Sequence, residues 1–295
     1  MNGDTGPVTT DDLLSRCGFP PPDTALPCAV SGGADSLALL VLAAAAGCSV
    51  VAIHVDHGLR ADSAREADVV AEAAERFGAA FRSERVEVAP GPNLEARART
   101  ARYAVLPAGT CTGHTADDRA ETVVLNLLRG SGLEGLTGIR RSSRRPILDL
   151  RRSETRALCA AVGLVPVDDP SNLDPVHRRN RVRHEVLPML ADVSDRDPVP
   201  VLCRQADLLA DEADLLAVLA ADLDPTDARA LAAAPSSLAR VAVRRWLRRA
   251  GNGHPPSAAA VERVLEVARG VAVATDLPGG WSVRRSSQRL QLLPP

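Results

Sequence analysis

The sequence contains no lysine: all 35 of its Lys+Arg positions are arginine. That absence excludes several kinds of ATP and amine chemistry. A Walker-type phosphate loop needs its lysine, a protein kinase its strand lysine, and a Schiff-base or pyridoxal enzyme its amine. Aromatic residues are scarce, with two Trp, one Tyr and three Phe in 295 residues. The six cysteines, at 17, 28, 48, 111, 159 and 203, form no CxxC pair, and no HExxH occurs. A structural zinc site and a secreted disulfide framework are therefore not expected. The start, Met1 to Leu14, is acidic and lacks a basic, apolar signal segment, so a cytoplasmic location is expected. One run of seventeen residues, Leu37 to Ile53, carries no charge. It is Ala-rich, broken by Gly47-Cys48-Ser49 and without basic flanks, and reads as buried helix then strand rather than a membrane span.

What is present suits a globular protein, at 45% hydrophobic and 24% charged residues, long enough for two modest domains. The net charge of −2 conceals an uneven distribution. Residues 140–183 hold eleven Arg against five acids, 191–230 three against ten, and 240–295 ten against three. Two basic blocks flanking an acidic one fit an anionic partner, or arginine standing in for lysine on solvated faces.

Up to residue 190 the pattern alternates strand and helix. Leu26 to Val30 is a short apolar run before a Ser-Gly-Gly turn and a helix over about 35–46. A β-branched strand over 50–55 precedes a helix over 63–77, and Val86 to Val88 end another strand before a helix over 93–106. A short strand at 110–112 leads to helices over 116–128 and 151–163. This alternation predicts an α/β fold, a parallel sheet with helices on both faces, followed by a smaller, mainly helical domain. The expected divisions are an N-terminal extension over 1–24, the α/β domain over 25–190, a linker over the Asp- and Pro-containing run 191–200, and a helical domain over 201–295. That last domain has expected helices at 201–223, 235–250 and 257–270 and a terminal hairpin around Leu277-Pro278-Gly279-Gly280.

The sharpest chemical signal is Ser31-Gly32-Gly33-Ala34-Asp35-Ser36, between a strand and a helix. Two glycines allow a tight turn that brings N–H groups to an anion, and the helix N-terminus adds its dipole. Ser31 and Ser36 add hydroxyl donors. Asp35 among phosphates implies a bridging Mg²⁺. Three further stations follow. His54-Val55-Asp56-His57-Gly58-Leu59-Arg60 follows the second strand, at the carboxyl edge where open α/β sheets bind ligands, and its two histidines bracket Asp56 or simply close the strand. Asn93 to Tyr103 carries Arg97 and Arg102, which reach phosphates or form a solvated face. Gly113-His114-Thr115-Ala116-Asp117-Asp118-Arg119-Ala120-Glu121-Thr122 runs into Leu127-Leu128-Arg129-Gly130-Ser131-Gly132. Asp118 and Glu121 fall three apart, on one helical face. Thr115 and Asp118 also have the spacing of a helix capping box.

The six-residue loop resembles the pyrophosphate loop of the ATP pyrophosphatases, which lies where a Walker loop does but uses no lysine. With Arg145-Pro146-Ile147-Leu148-Asp149-Leu150, Asp168 to Asn172 and Arg179 to Glu185, the order and spacing resemble the tRNA(Ile)-lysidine synthetase family over residues 26–190. The resemblance implies a ligase that joins L-lysine to C2 of the wobble cytidine in the CAU-anticodon isoleucine tRNA. ATP is the co-substrate, an adenylylated cytidine the intermediate, and AMP and pyrophosphate the products. It implies ATP on Ser31, Gly32, Gly33, Ala34, Asp35 and Ser36, with His54 and His57 at the adenosine, catalysis by Asp35, Asp118 and Glu121, and Mg²⁺ at Asp35. For tRNA or phosphate it points to Arg97, Arg102, His114, Arg181 and Arg183, with Arg244, Arg245 and Arg248 on an arginine-rich helix. The chain departs from the family at Arg119, where the family usually has Gln; a guanidinium there is placed to pair with Asp118 or Glu121. Its length leads to the expectation that the further C-terminal domain of longer members is not part of it. The other readings are a pyrophosphate-loop tRNA thiolase, whose usual paired cysteines are missing, and a non-catalytic nucleotide-binding module.

Overall fold

The computed structural model describes residues 9–56, 63–86, 94–167, 174–250 and 256–295. The chain divides into two compact units, one running to Arg129 and resuming over Gly138–Gln205, the other comprising Gly130–Thr137 and Ala206–Pro295.

The first unit opens with α1 (Thr10–Leu14) and then alternates β1 (Ala25–Ala29), α2 (Ala34–Ala45), β2 (Ser49–Asp56), α3 (Ser63–Arg76), β3 (Ala80–Arg85), α4 (Leu94–Val105), β4 (Cys111–Thr112) and α5 (Ala116–Leu128). The four strands form one parallel sheet in the order β3-β2-β1-β4. The expected α/β class is what the chain adopts. The charge-free run is explained by α2, whose residues Leu37 to Ala43 are all buried. A helix apolar on every side belongs in a core, and Gly47, at φ 78°, turns the chain into β2. Among the described residues no helix is long and apolar enough to cross a membrane.

Strand order places the chemistry. The chain leaves β1 toward β2 and β3, then returns to the other side of β1 as β4. Open parallel sheets bind ligands where the winding reverses, at the carboxyl ends of such strands. The Ser31–Ser36 loop leaves β1 there, and Gly113 to Asp118 leave β4 beside it. Gly113 makes that proximity possible. A Cβ on it would stand 2.6 Å from the Asp35 carbonyl oxygen and 3.0 Å from the Ser36 nitrogen, both backbone.

In the second unit, α6 (Leu133–Leu136) belongs to the Gly130–Thr137 insertion. The first unit continues through α7 (Arg152–Ala161), α8 (Arg178–Arg181), a π-helical turn over Val182–Val186 and α9 (Leu187–Ser194). Then come α10 (Pro198–Leu219), α11 (Ala228–Ala233), α12 (Ser236–Ala250), α13 (Ala258–Arg269), β5 (Ala274–Asp276), β6 (Ser282–Ser286) and β7 (Arg289–Leu293). Leu231, Val243, Val264, Leu265, Val283 and Leu290 form the second unit's own core.

Two expectations need correction and one needs extension. The run 191–200 is not an extended linker. α9 continues to Ser194, Asp195 takes a left-handed conformation, and α10 begins at Pro198. Proline read as a breaker is here a helix starter, since a first-turn residue has no intrahelical use for an N–H. Asp197 accepts from the Val199 N–H at 3.0 Å and caps that start. The expected terminal hairpin is present, β5 pairing antiparallel with β6 across residues 277–281, and β7 extends it to a three-stranded sheet. Its second turn, Ser287-Gln288, has φ of 47° and 65° without glycine or asparagine, so the usual turn signature is missing. α11, six residues capped by Asp227, was not expected at all.

Gly113→Ala should force backbone apart between β4 and the start of α2. A loss of about 1–3 kcal/mol is expected, the usual range for overpacking, read as a lower urea midpoint with an unchanged slope. Stability equal to the parent's would show that the two chain segments separate freely.

Candidate active site

The loop after β1 is organised by its own hydroxyls. Ser36 Oγ accepts from the Ser31 N–H at 3.0 Å and donates to the Gly33 carbonyl at 2.9 Å. Gly32 takes φ 79°, and its carbonyl accepts from the Val167 N–H at 2.9 Å, which fixes the turn from outside. Gly33 is the N-cap of α2 and, lacking a side chain, provides no side-chain cap. The helix therefore meets the loop with its amide end and positive dipole end uncovered by a side chain, the arrangement that binds phosphate.

Asp35, in the first turn of α2, does not stand alone. Thr155 Oγ1 donates to its Oδ1 at 2.5 Å, and Arg152 Nε donates to its Oδ2 at 3.3 Å. The same guanidinium donates through Nη2 to Asp118 Oδ1 at 2.8 Å and through Nη1 to Glu121 Oε1 at 3.0 Å. One arginine, in the first turn of α7, thus binds all three carboxylates assigned to catalysis from the sequence. Two more guanidiniums close the cluster. Arg179 donates to Glu121 Oε2 at 2.7 Å and to Asp118 Oδ1 at 3.2 Å; Arg183 donates to Glu121 Oε1 at 2.7 Å. Glu121 is fully buried, and both its oxygens receive hydrogen bonds from guanidiniums, the pairing that burial of a carboxylate demands.

Asp118 fills both roles that its spacing allowed. Its Oδ2 accepts from the Thr115 N–H at 2.9 Å, capping α5, while Oδ1 faces Arg152 and Arg179. Beside it Asp117 accepts from Arg151 Nε at 3.1 Å and the Arg152 N–H at 2.8 Å, pinning the start of α7 to the start of α5. Burial is the largest influence on Asp118 and would raise its carboxyl; the charges of Arg152 and Arg179, the Thr115 N–H and His114 together hold it below the ordinary range. Burial also dominates Asp35 and, with the Asp118 charge, raises its carboxyl against the pull of Thr155 and Arg152.

The structure sorts the other expected residues. Arg183 joins the cluster, whereas Arg181 turns to Glu185 in an exposed i,i+4 pair at 2.9 Å. His54 is buried at the end of β2 with Nδ1 3.1 Å from the Val30 carbonyl. The carbonyl can only accept, so Nδ1 carries a proton. His57 lies outside the described residues. His114 Nδ1 is 2.7 Å from Thr112 Oγ1, just before Asp118. On α4, Arg97 is half-buried and Arg102 exposed. Arg119 is buried, with its side chain packed close to Gly138. In the second unit, Arg248 grips both oxygens of Glu134 at 3.0 and 2.8 Å, Arg244 approaches the same carboxylate at 4.0 Å, and Arg245 donates to the Ala217 carbonyl at 2.9 Å. The three do not share one outward face.

Sequence reasoning missed Arg152, Arg179 and Thr155. One signal was available: Arg179 and Arg183 are four apart, so a helix presents them together. Nothing local marks Arg152, which follows a loop and meets partners 31 to 117 residues distant.

A glycine-turned loop feeding an open helix N-terminus, beside an acid cluster at the sheet's reversal point, defines a PP-loop protein. The family model described as the PP-loop domain matches residues 12–190, and the TilS substrate binding domain model matches 227–291. Within that class the chain belongs to the tRNA(Ile)-lysidine synthase family. The tRNA(Ile)-lysidine synthase of Nocardia farcinica is 41% identical to it over 85% of this chain and 86% of that protein. The synthase of Mycobacterium leprae is 42% identical over 76% and 75%, and that of Thermus thermophilus 40% identical over 93% of this chain but 58% of its own length. Among solved structures, the U34-tRNA thiolase NcsA from Methanococcus maripaludis shares the fold, with a TM-score of 0.51 at 16% identity over 68% of this chain and 78% of that one.

Because the fold holds Asp118 below its unfolded value, that carboxylate stabilises the protein above the ordinary carboxylate range. The contribution is lost as pH falls through the folded value. Asp35 has the opposite sign: with a raised value, its contribution to stability declines as pH rises from the unfolded value through the folded one. Asp118→Asn keeps an oxygen for the Thr115 N–H, so it should flatten the loss of stability below about pH 4. Urea unfolding across a pH series measures this, and an acid limb as steep as the parent's would contradict it.

Proposed function

We propose that this chain ligates L-lysine to C2 of the wobble cytidine of the CAU-anticodon isoleucine tRNA, using ATP and releasing AMP and pyrophosphate. The observation that carries this reading is the convergence of Asp35, Asp118 and Glu121 on one guanidinium, beside the open N-terminus of α2. Phosphates of ATP sit on the Ser31–Ser36 loop, received by backbone N–H groups, the helix dipole and the Ser31 hydroxyl, while the Ser36 hydroxyl holds the loop's shape. His54 and His57 are assigned to the nucleoside, and the buried Nε2 of His54 lacks a partner among the described residues.

Asp35 is the residue that would hold Mg²⁺. Its carboxylate already binds one cation, the Arg152 guanidinium, and a magnesium ion bound by one carboxylate plus substrate phosphates needs no larger protein cage. The ion supplies neutralisation of the triphosphate when bound. In the first step the C2 carbonyl oxygen of cytidine attacks the α-phosphate and pyrophosphate leaves. The chain's part is to hold the reactants in line, with its cations and amides against the developing charge.

The second step needs an amine that has lost its proton. Asp118 and Glu121 bind three guanidiniums in the structure, so they recognise nitrogen cations through charge-assisted bonds, and the lysine ε-ammonium belongs to the same chemical class. A carboxylate of this pair takes the ammonium proton; the free amine attacks C2 and AMP leaves. The tRNA is held by cations of the first unit, Arg97, Arg102, His114, Arg181 and Arg183, and of α12, Arg244, Arg245 and Arg248. A reaction on tRNA with ATP and free lysine belongs in the cytoplasm.

Labelled lysine, ATP and the CAU tRNA incubated with the chain should give label in RNA, with AMP and pyrophosphate in equal amount. ADP as the stoichiometric product would overturn the reading. Asp118→Asn and Glu121→Gln should each lower transfer by roughly 10²-fold or more, the scale of other preorganised electrostatic groups, with the fold retained by circular dichroism. Variants that transfer at the parent rate would leave the pair a purely structural role.

If α12 meets RNA phosphates, Arg244→Ala with Arg248→Ala should flatten the slope of log affinity against log salt by roughly 0.7 to 0.9 for each phosphate no longer neutralised. An unchanged slope with unchanged affinity would remove this helix from the RNA surface.

A further inference from the structure

One turn beyond Glu121, the same face of α5 forms the floor of a second feature. Leu125 and Leu128 on α5, with Val182 and Val186 from the π-helical turn, line a cleft of about 290 Å³, and Arg129, Arg178 and Arg181 stand around it. Leu128 is 70% exposed and its neighbour Leu127 61%, unusual for leucines in the last turn of an otherwise well-buried helix. At 1.5 Å per residue, Leu125 and Leu128 lie roughly 6 and 10 Å along the helix from Glu121.

Both walls connect this cleft to the acid cluster. Arg179 and Arg183 reach Glu121, while Arg178, Arg181 and Val182 from the same segment line the cleft. A π-helical turn at Val182–Val186 lies in this segment, and such turns are frequent at functional sites.

The lining selects its occupant. Aliphatic walls with a cationic rim repel an ammonium and accept a flat, apolar body that carries negative charge. The volume suits one ring system rather than a larger ligand. Single-stranded RNA offers that combination, an unstacked base on a phosphate chain, and is usually received on aromatic side chains or guanidinium planes. With six aromatic residues in the chain and none lining this cleft, aliphatic side chains and arginine must serve. Arg181 is paired with Glu185 on the surface, a weak pair that a phosphate can displace.

We infer that this cleft receives the base of a nucleotide adjacent to the modified cytidine, stacked on Leu125, Leu128, Val182 and Val186, with its phosphates on Arg129, Arg178 and Arg181. The inference rests on the proposed action on tRNA and adds a base-binding site that splays the RNA beside the target.

The test uses the full chain and anticodon-arm hairpins carrying 2-aminopurine on one side or the other of the target cytidine. Binding should raise fluorescence at one of the two positions, as the base leaves its stack. Leu128→Glu should remove that rise and weaken RNA binding at least tenfold, with ATP affinity within twofold of the parent. Arg178→Ala should weaken RNA binding severalfold and reduce the salt dependence. No rise at either position, or a Leu128→Glu variant that binds like the parent, would overturn the inference. Should Leu128→Glu also lose ATP, Leu128→Ala decides, and parent-like RNA affinity there would equally overturn it. Competition by free CMP or AMP at concentrations comparable to the hairpin's would reassign the cleft to a free nucleotide. A chain that shows the rise but transfers no lysine keeps the cleft and loses the enzymatic reading; transfer without the rise loses the cleft alone.

Discussion

The Arg152 guanidinium joins three carboxylates that come from two helices, and the geometry of the site follows from it. Asp35 leaves α2, Asp118 and Glu121 leave α5, and each receives a different nitrogen of Arg152. Without a cation between them, three carboxylates this close would repel, and burial would drive some to bind protons. A planar, permanently charged fork can serve three partners at once, which a lysine ammonium on a flexible stem does less well. The absence of lysine from this chain is therefore compatible with its most demanding electrostatic site.

The cluster also unites two functions usually treated apart. Asp118 caps α5 with one oxygen and meets guanidiniums with the other, so the helix start and the acid site share a single residue. Asp117 does the same for the junction with α7, through Arg151 and the Arg152 N–H. Groups tied into backbone this way are held in position without flexible side chains of their own, which is what preorganised catalysis requires. Arg119 is buried, and Arg152, Arg179 and Arg183 each donate to Asp118 or Glu121.

The two units are built on different terms. The first is a parallel sheet around a helix apolar on all sides; its loops at the carboxyl edge are free to carry chemistry. The second is helices α11 to α13 with a small antiparallel sheet, its core formed by a few aliphatic residues. Its arginines are partly committed to internal partners: Arg248 and Arg244 to Glu134, and Arg245 to a carbonyl of α10. A high density of arginine is thus not by itself a free basic surface.

Read from residues alone, the alternation of strand and helix, the Ser31–Ser36 loop, α5 with its Asp118–Glu121 face and the buried nature of α2 were all legible. Each depends on neighbours within a turn or two: a glycine pair, a period of 3.6, a run without charge. Arg152, the Thr155 hydroxyl and the shared role of Arg179 with Arg183 were not, since their partners lie tens of residues away and reach them only through the sheet's reversal at β1. The helix starting at Pro198 and the turn at Ser287-Gln288 misled for a related reason. Proline and missing glycine are statements about backbone preference, and a capping carboxylate or a paired strand supplies enough free energy to override them. Local preference set the elements and the loop; long-range electrostatics set which charges meet.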